Sequence, residues 1–214
     1  MKIIFCIITI LIFTACSSNQ PRERKPFMIV GEKEKTVGGG GGIFLGYGMG
    51  STEFQGSALN TRYKSFTDWS LYTGLGMGIG LGRLSLATGY IYSYNYYFKE
   101  SKDPNNENRY IDAETFHSYR NKAYISTAYT LYRDKLGNSY GIGFNYYPYI
   151  SSQFKKVATL PTQELKTKGY GHGSSLFLSM RYASIHVNYR KLIYQSDLSE
   201  ERVSFGASFG IPLF

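Results

Sequence analysis

A histidine and a serine two residues apart, His172 and Ser174, are the residue types that acyl transfer requires, the hydroxyl as nucleophile and the imidazole as its base. Side chains two apart share one face of a strand, so this pair would work only from a β-strand. The acid that would orient the imidazole is missing at the usual interval, because Asp197 is the only carboxylate between Leu176 and Ser199. Of the other histidines, His117 reads as a loop residue and His186 as a hydrogen-bonded interior one. Cys6 and Cys16 are the only cysteines, which leaves no cysteine-based metal site. The glycine run Gly38 to Gly42 lacks the Gly-Lys-Ser/Thr of a phosphate loop. No metal and no cofactor are expected.

Whatever positions that pair must be built from an unusual composition. Only 18% of the 214 residues are charged, against roughly 25% in a soluble domain. Aromatic residues reach 17%, and there are 24 glycines. That much aromatic surface can sustain a folded core, while the glycine, tyrosine and serine content disfavours a helical bundle.

The first 15 residues form a leader, with Lys2 preceding the apolar run Ile3 to Ala15. The run is too short for a spanning helix, which needs roughly 20 residues. Thr14-Ala15-Cys16 resembles the lipobox of bacterial lipoproteins, and the resemblance implies that Cys16 is acylated and becomes the mature N-terminus. Residues 16–42 read as a lipidated tether, with Pro21, Pro26, two mixed charge clusters and the glycine run.

From residue 43 the sequence has period two. Between Trp69 and Gly82 the odd positions are Trp, Leu, Thr, Leu, Met, Ile and Leu, while the even ones are Ser, Tyr and five glycines. Similar alternation near 43–50, 84–98, 119–132, 140–151, 170–182, 185–194 and 203–211 gives eight strands. A soluble sheet would dress its second face with Lys, Glu and Thr, yet 69–82 and 84–98 each contain no charge at all. A bare Gly/Ser face suits a narrow interior filled by inward tyrosines such as Tyr97, Tyr124, Tyr147 and Tyr149. The apolar face then looks outward into lipid, and a closed barrel is the β-architecture that a bilayer permits. The fold class is therefore all-β: a closed antiparallel up-and-down transmembrane barrel of eight strands over 43–214.

The connections alternate too. Gly82-Arg83, 133–138 and 183–184 are short, whereas 51–68, 99–118 and 152–169 are long, the known asymmetry between inner turns and outer loops. Architecturally the chain resembles the OmpX, OmpW and OmpA-barrel families of small outer-membrane barrels. The last strand, with Phe209 and the terminal Phe214, resembles the signal read by the barrel assembly machinery. The resemblance implies an outer-membrane monomer, lipid-anchored on the periplasmic side, with envelope-structural, surface-interaction or adhesion roles carried by its outer loops.

Strand parity then assigns the remaining charges. Arg120, Lys122, Arg181 and Arg190 point into the lumen, and no strand supplies an inward acid. Glu114 or Asp197 from loops, or Glu32 and Glu34 from the tether, are the expected partners. Lys155, Lys156, Lys166 and Lys168 form an outer basic rim suited to lipopolysaccharide phosphates. His172 and Ser174 fall on the lipid side, where they resemble the His-x-Ser of lipid A deacylase barrels; that enzyme is one alternative function, and a barrel that binds a lipid chain laterally is another. The basic residues form no stripe, which excludes nucleic acid as a partner.

Overall fold

The computed structural model describes residues 37–59, 64–103, 106–134, 138–156, 164–180 and 183–213. Cys16, Glu32, Glu34, Arg181, Phe214 and the leader lie outside them. Eight strands follow one another: β1 (Val37–Gly56), β2 (Ser65–Leu81), β3 (Leu84–Asp103), β4 (Asn106–Arg133), β5 (Ser139–Lys156), β6 (Glu164–Ser179), β7 (Ala183–Tyr194) and β8 (Leu198–Pro212). Each pairs antiparallel with the next, and β8 pairs with β1, so the barrel closes without an edge.

The alternation sets the faces as expected. Leu75, Met77, Phe144, Leu176, Phe205 and Phe209 stand exposed on the outer wall, while Phe44, Tyr124 and Phe177 are buried inside. Glycines make room for these inward rings. A Cβ on Gly46 would strike the Tyr72 ring, one on Gly76 the Tyr124 hydroxyl, and one on Gly74 the ring of Phe44. At one end of the barrel β2 and β3 meet in the tight turn Gly82-Arg83, with Gly82 at φ 61°.

The opposite end differs from the expected loops. β1 runs on to Gly56, β2 begins at Ser65, and β3 and β4 continue to Asp103 and from Asn106. The period of two persists through these segments but its polarity inverts. Phe54, Phe66, Phe154 and Leu198 now point inward and are buried, whereas Glu53, Gln55, Thr67 and Lys166 are exposed outside. We call this extension the crown. The links there shrink to 57–64, 104–105, 157–163 and 195–197.

Two further corrections follow from the register. Gly38 to Gly42, assigned to the tether by composition, are strand residues that face Gly80, Ile79, Gly78, Met77 and Gly76 of β2. Bare backbone can still complete a ladder when its partner strand supplies the hydrogen bonds. In β5 a bulge between Tyr147 and Ile150 contains Pro148, which has no N–H to donate. It shifts the phase by one, so Tyr149 is exposed outside and Ile150 is fully buried, the reverse of the expectation.

Candidate functional site

The interior is built in three layers. Uppermost, inside the crown, nine residues make a dry plug: Phe54, Phe66, Tyr97, Phe116, Ile150, Phe154, Leu192, Tyr194 and Leu198. Tyr97 stacks on Phe116 at 4.6 Å, Phe66 meets Phe116 edge-on at 4.9 Å, and Phe54 contacts Tyr97 and Phe116 at 5.3 Å each. Phe54, Phe66, Phe154 and Leu198 each alternate with polar neighbours along the chain.

Beneath the plug lies an ionic layer. Arg120, Lys122 and Arg190 are inward and buried, as parity predicts, and Arg202 joins them. Among the described residues their carboxylates come from strands and not from Glu114 or Asp197, while Glu32 and Glu34 lie outside the described residues. Glu200 on β8 takes Arg120 at 2.6–2.8 Å through both oxygens and Arg190 at 2.8 Å, and the Tyr194 hydroxyl donates to it at 3.3 Å. The Tyr97 hydroxyl bonds Arg120 from above. Asp68 on β2 pairs with Arg202 and accepts from Thr52 at 2.7 Å. Both acids sit in segments that composition marks as loops, and only the crown's strand extension turns them inward. Glu114 is buried too, but it is bound to Lys156 at 2.6 Å. Asp197 occupies the β7–β8 turn at φ 51°, a left-handed conformation that aspartate tolerates.

The third layer is a cavity of about 190 Å³ lined by Lys122, Arg190, Arg202 and His186 together with serine, asparagine and tyrosine side chains. Phe44, Tyr72, Tyr124 and Phe177 also line it. His186 bonds the Tyr72 hydroxyl at 3.0 Å, the interior role expected of it. An eight-stranded lumen has room for side chains and at most one small guest.

On the outer wall, the expected rim lysines lie on the crown ends of β5 and β6. Lys155, Lys166 and Lys168 face outward, while Lys156 turns inward to Glu114. Glu164 is the acid among them, at 3.1 Å from Lys166 and 3.9 Å from Lys155. Hydrogen bonds from Gln153 and Lys166 hold its carboxyl below the ordinary value. Lys191 and Glu201 pair at 2.6 Å on the neighbouring strands. Just below come exposed Tyr149, Tyr170 and Tyr189. His117 lies on strand β4 instead of in a loop, with its ring beside Tyr94, Tyr96 and Tyr119.

His172 and Ser174 share the outer face of β6, as their spacing requires. His172 lies opposite Tyr146 and Lys191, and Ser174 opposite Phe144 and Tyr189. Among the described residues no hydrogen bond joins the two, and no carboxylate lies opposite His172 in either register. No group of three or more metal-ligating side chains is assembled among the described residues.

No protein-family model and no curated protein matches this chain. Among solved structures it is similar to the neisserial surface protein A, at 11% identity over 78% of this chain and 96% of that one, with a TM-score of 0.45. It is also similar to Ail, the attachment invasion locus protein of Yersinia pestis, in complex with the heparin analogue sucrose octasulfate (11% identity, 81% and 99% covered, TM-score 0.42). A third similar structure is the N-terminal β-barrel domain of Pseudomonas aeruginosa OprF, at 9% identity over 78% and 97% of the two chains and a TM-score of 0.35.

Proposed function

We propose that this chain is a non-enzymatic outer-membrane barrel of the bacterial envelope that works as a monomer, through a rigid crown standing above the bilayer. The observation that carries this reading is the inversion of polarity along the strands. Below the ionic layer the wall is apolar outside, with Leu75 and Met77 each 57% exposed and Phe209 62%. Above it the outer wall carries Glu53, Lys155, Lys166, Lys168 and Glu201, and the inside is aromatic. Lipid rewards the first arrangement and water the second, so one barrel meets two solvents at a single level. Tyr149, Tyr170 and Tyr189 stand where an interfacial girdle would. In this reading Cys16 is acylated, the N-terminus lies on the periplasmic side, and the exposed Phe209 of β8 belongs to the strand read by the assembly machinery. Lys155, Lys166 and Lys168 meet lipopolysaccharide phosphates, and the crown carries surface interaction or adhesion.

The test is electrophoretic mobility of outer membranes with and without boiling. The unboiled chain is expected to migrate faster, and Leu75→Arg, a charge in the middle of the apolar band, is expected to cost about 2–4 kcal/mol of folding free energy in lipid. Identical mobilities and release by alkali would overturn the reading. Expression is also expected to leave the lipid A mass spectrum unchanged. A deacylated species that disappears with Ser174→Ala would install the hydrolase in its place.

A further inference from the structure

We propose that the cavity beneath the ionic layer binds a small tetrahedral oxyanion of the sulfate or phosphate class. Among the described residues the lumen gathers the cations Arg120, Lys122, Arg190 and Arg202 around the carboxylates Glu200 and Asp68. Both acids are already engaged, Glu200 by Arg120 and Arg190, and Asp68 by Arg202 and Thr52. Lys122 is only 4% exposed and has no carboxylate partner among the described residues; its ammonium rests 5.7 Å from the Tyr147 ring centroid. Arg190 and Arg202 each give one guanidinium nitrogen to a carboxylate and are the neighbouring cations. All three of these side chains line the same cavity.

A surplus of buried positive charge is costly unless something negative is taken in with it. The rest of the lining is suited to the same guest. The Ser204 hydroxyl and the Asn188 amide can each donate, and among the described residues no carboxylate lines the cavity to repel an anion. The volume of about 190 Å³ exceeds the share of several water molecules, each roughly 30 Å³ in the liquid. An oxyanion offers acceptors in divergent directions, which suits an ammonium and two guanidinium edges arriving from β4, β7 and β8. With the plug sealing the crown end, the guest is held as a structural counter-ion.

The full-length folded chain in detergent, in gluconate buffer of constant ionic strength, would be titrated calorimetrically with sulfate. One saturable site per barrel is expected, weakened at least about tenfold by Lys122→Met, a loss of about 1.4 kcal/mol, and unchanged by Lys168→Met on the outer wall. The boiling shift shows that each variant is folded. No saturable binding, or equal weakening in both variants, overturns the proposal. As a second reading, anomalous diffraction from selenate-soaked crystals should place the anion between Lys122 and Arg190; a peak confined to the outer wall overturns it.

Discussion

Replacing Glu200 with glutamine should destabilise the folded barrel by about 3–5 kcal/mol, the cost of leaving buried guanidinium groups without their counter-charge. Arg120 and Glu200 are both fully buried, and Arg190 shares the same carboxylate. Glutamine keeps the shape and one acceptor but removes the charge, so the loss reports electrostatics and not packing. The loss shrinks if the whole cluster is removed. Arg120→Met, Glu200→Leu and Arg190→Met together are expected to recover most of the loss, since hydrophobic replacement of an entire buried ionic cluster is often neutral or better. Urea unfolding from detergent or liposomes measures both. A Glu200→Gln barrel within 1 kcal/mol of wild type would mean that the arginines find negative charge elsewhere.

Phe116→Ala should cost about 3–5 kcal/mol, because the ring is buried and its removal leaves a cavity that stacked neighbours cannot easily fill. Phe116 touches Phe54, Phe66, Tyr97 and Phe154, so its loss disconnects the centre of the plug. The location of the damage separates the crown from the membrane band. Protease cleavage at the crown lysines is expected to accelerate, while the boiling shift of the remaining barrel is retained. Tyr92→Ala, an exposed aromatic on the outer wall, serves as the control and should cost far less. Equal losses in the two variants would show that the crown has no independent dry core.

Strand number, closure and the outward apolar face were all legible in sequence because larger residues alternate with glycine or other mostly small ones from 69 to 82 and from 84 to 96. The inward direction of Arg120, Lys122 and Arg190 followed from the same parity. What escaped was the crown. Charged residues such as Glu53 and Lys166 look like loop composition when the only template is an apolar outer face. The signal was nonetheless present in Thr52 and Phe54 alternating with Glu53 and Gln55, a soluble strand pattern continuing a membrane one. Missing the crown concealed Asp68 and Glu200, and with them the partners of the lumen arginines. The Tyr147–Ile150 bulge was hidden for another reason, since a proline marks where a phase shift is permitted but not that it occurs.

The seam of the barrel acquires a particular character from the plug. β1 and β8 are the first and last strands, so their pairing closes the barrel, and Phe54 from one and Leu198 from the other belong to the same buried cluster. At that corner Gly56, at φ 115°, is threaded against the Asp197 carbonyl, where a side chain would collide. Parting these two strands therefore means pulling a dry core open from its top, in addition to breaking ladder hydrogen bonds. Unfolding should then be slow out of proportion to equilibrium stability, with the barrier set at the water-exposed end. On the outer-membrane reading proposed above, the barrel would thus owe its lifetime to a small apolar core that the membrane never touches.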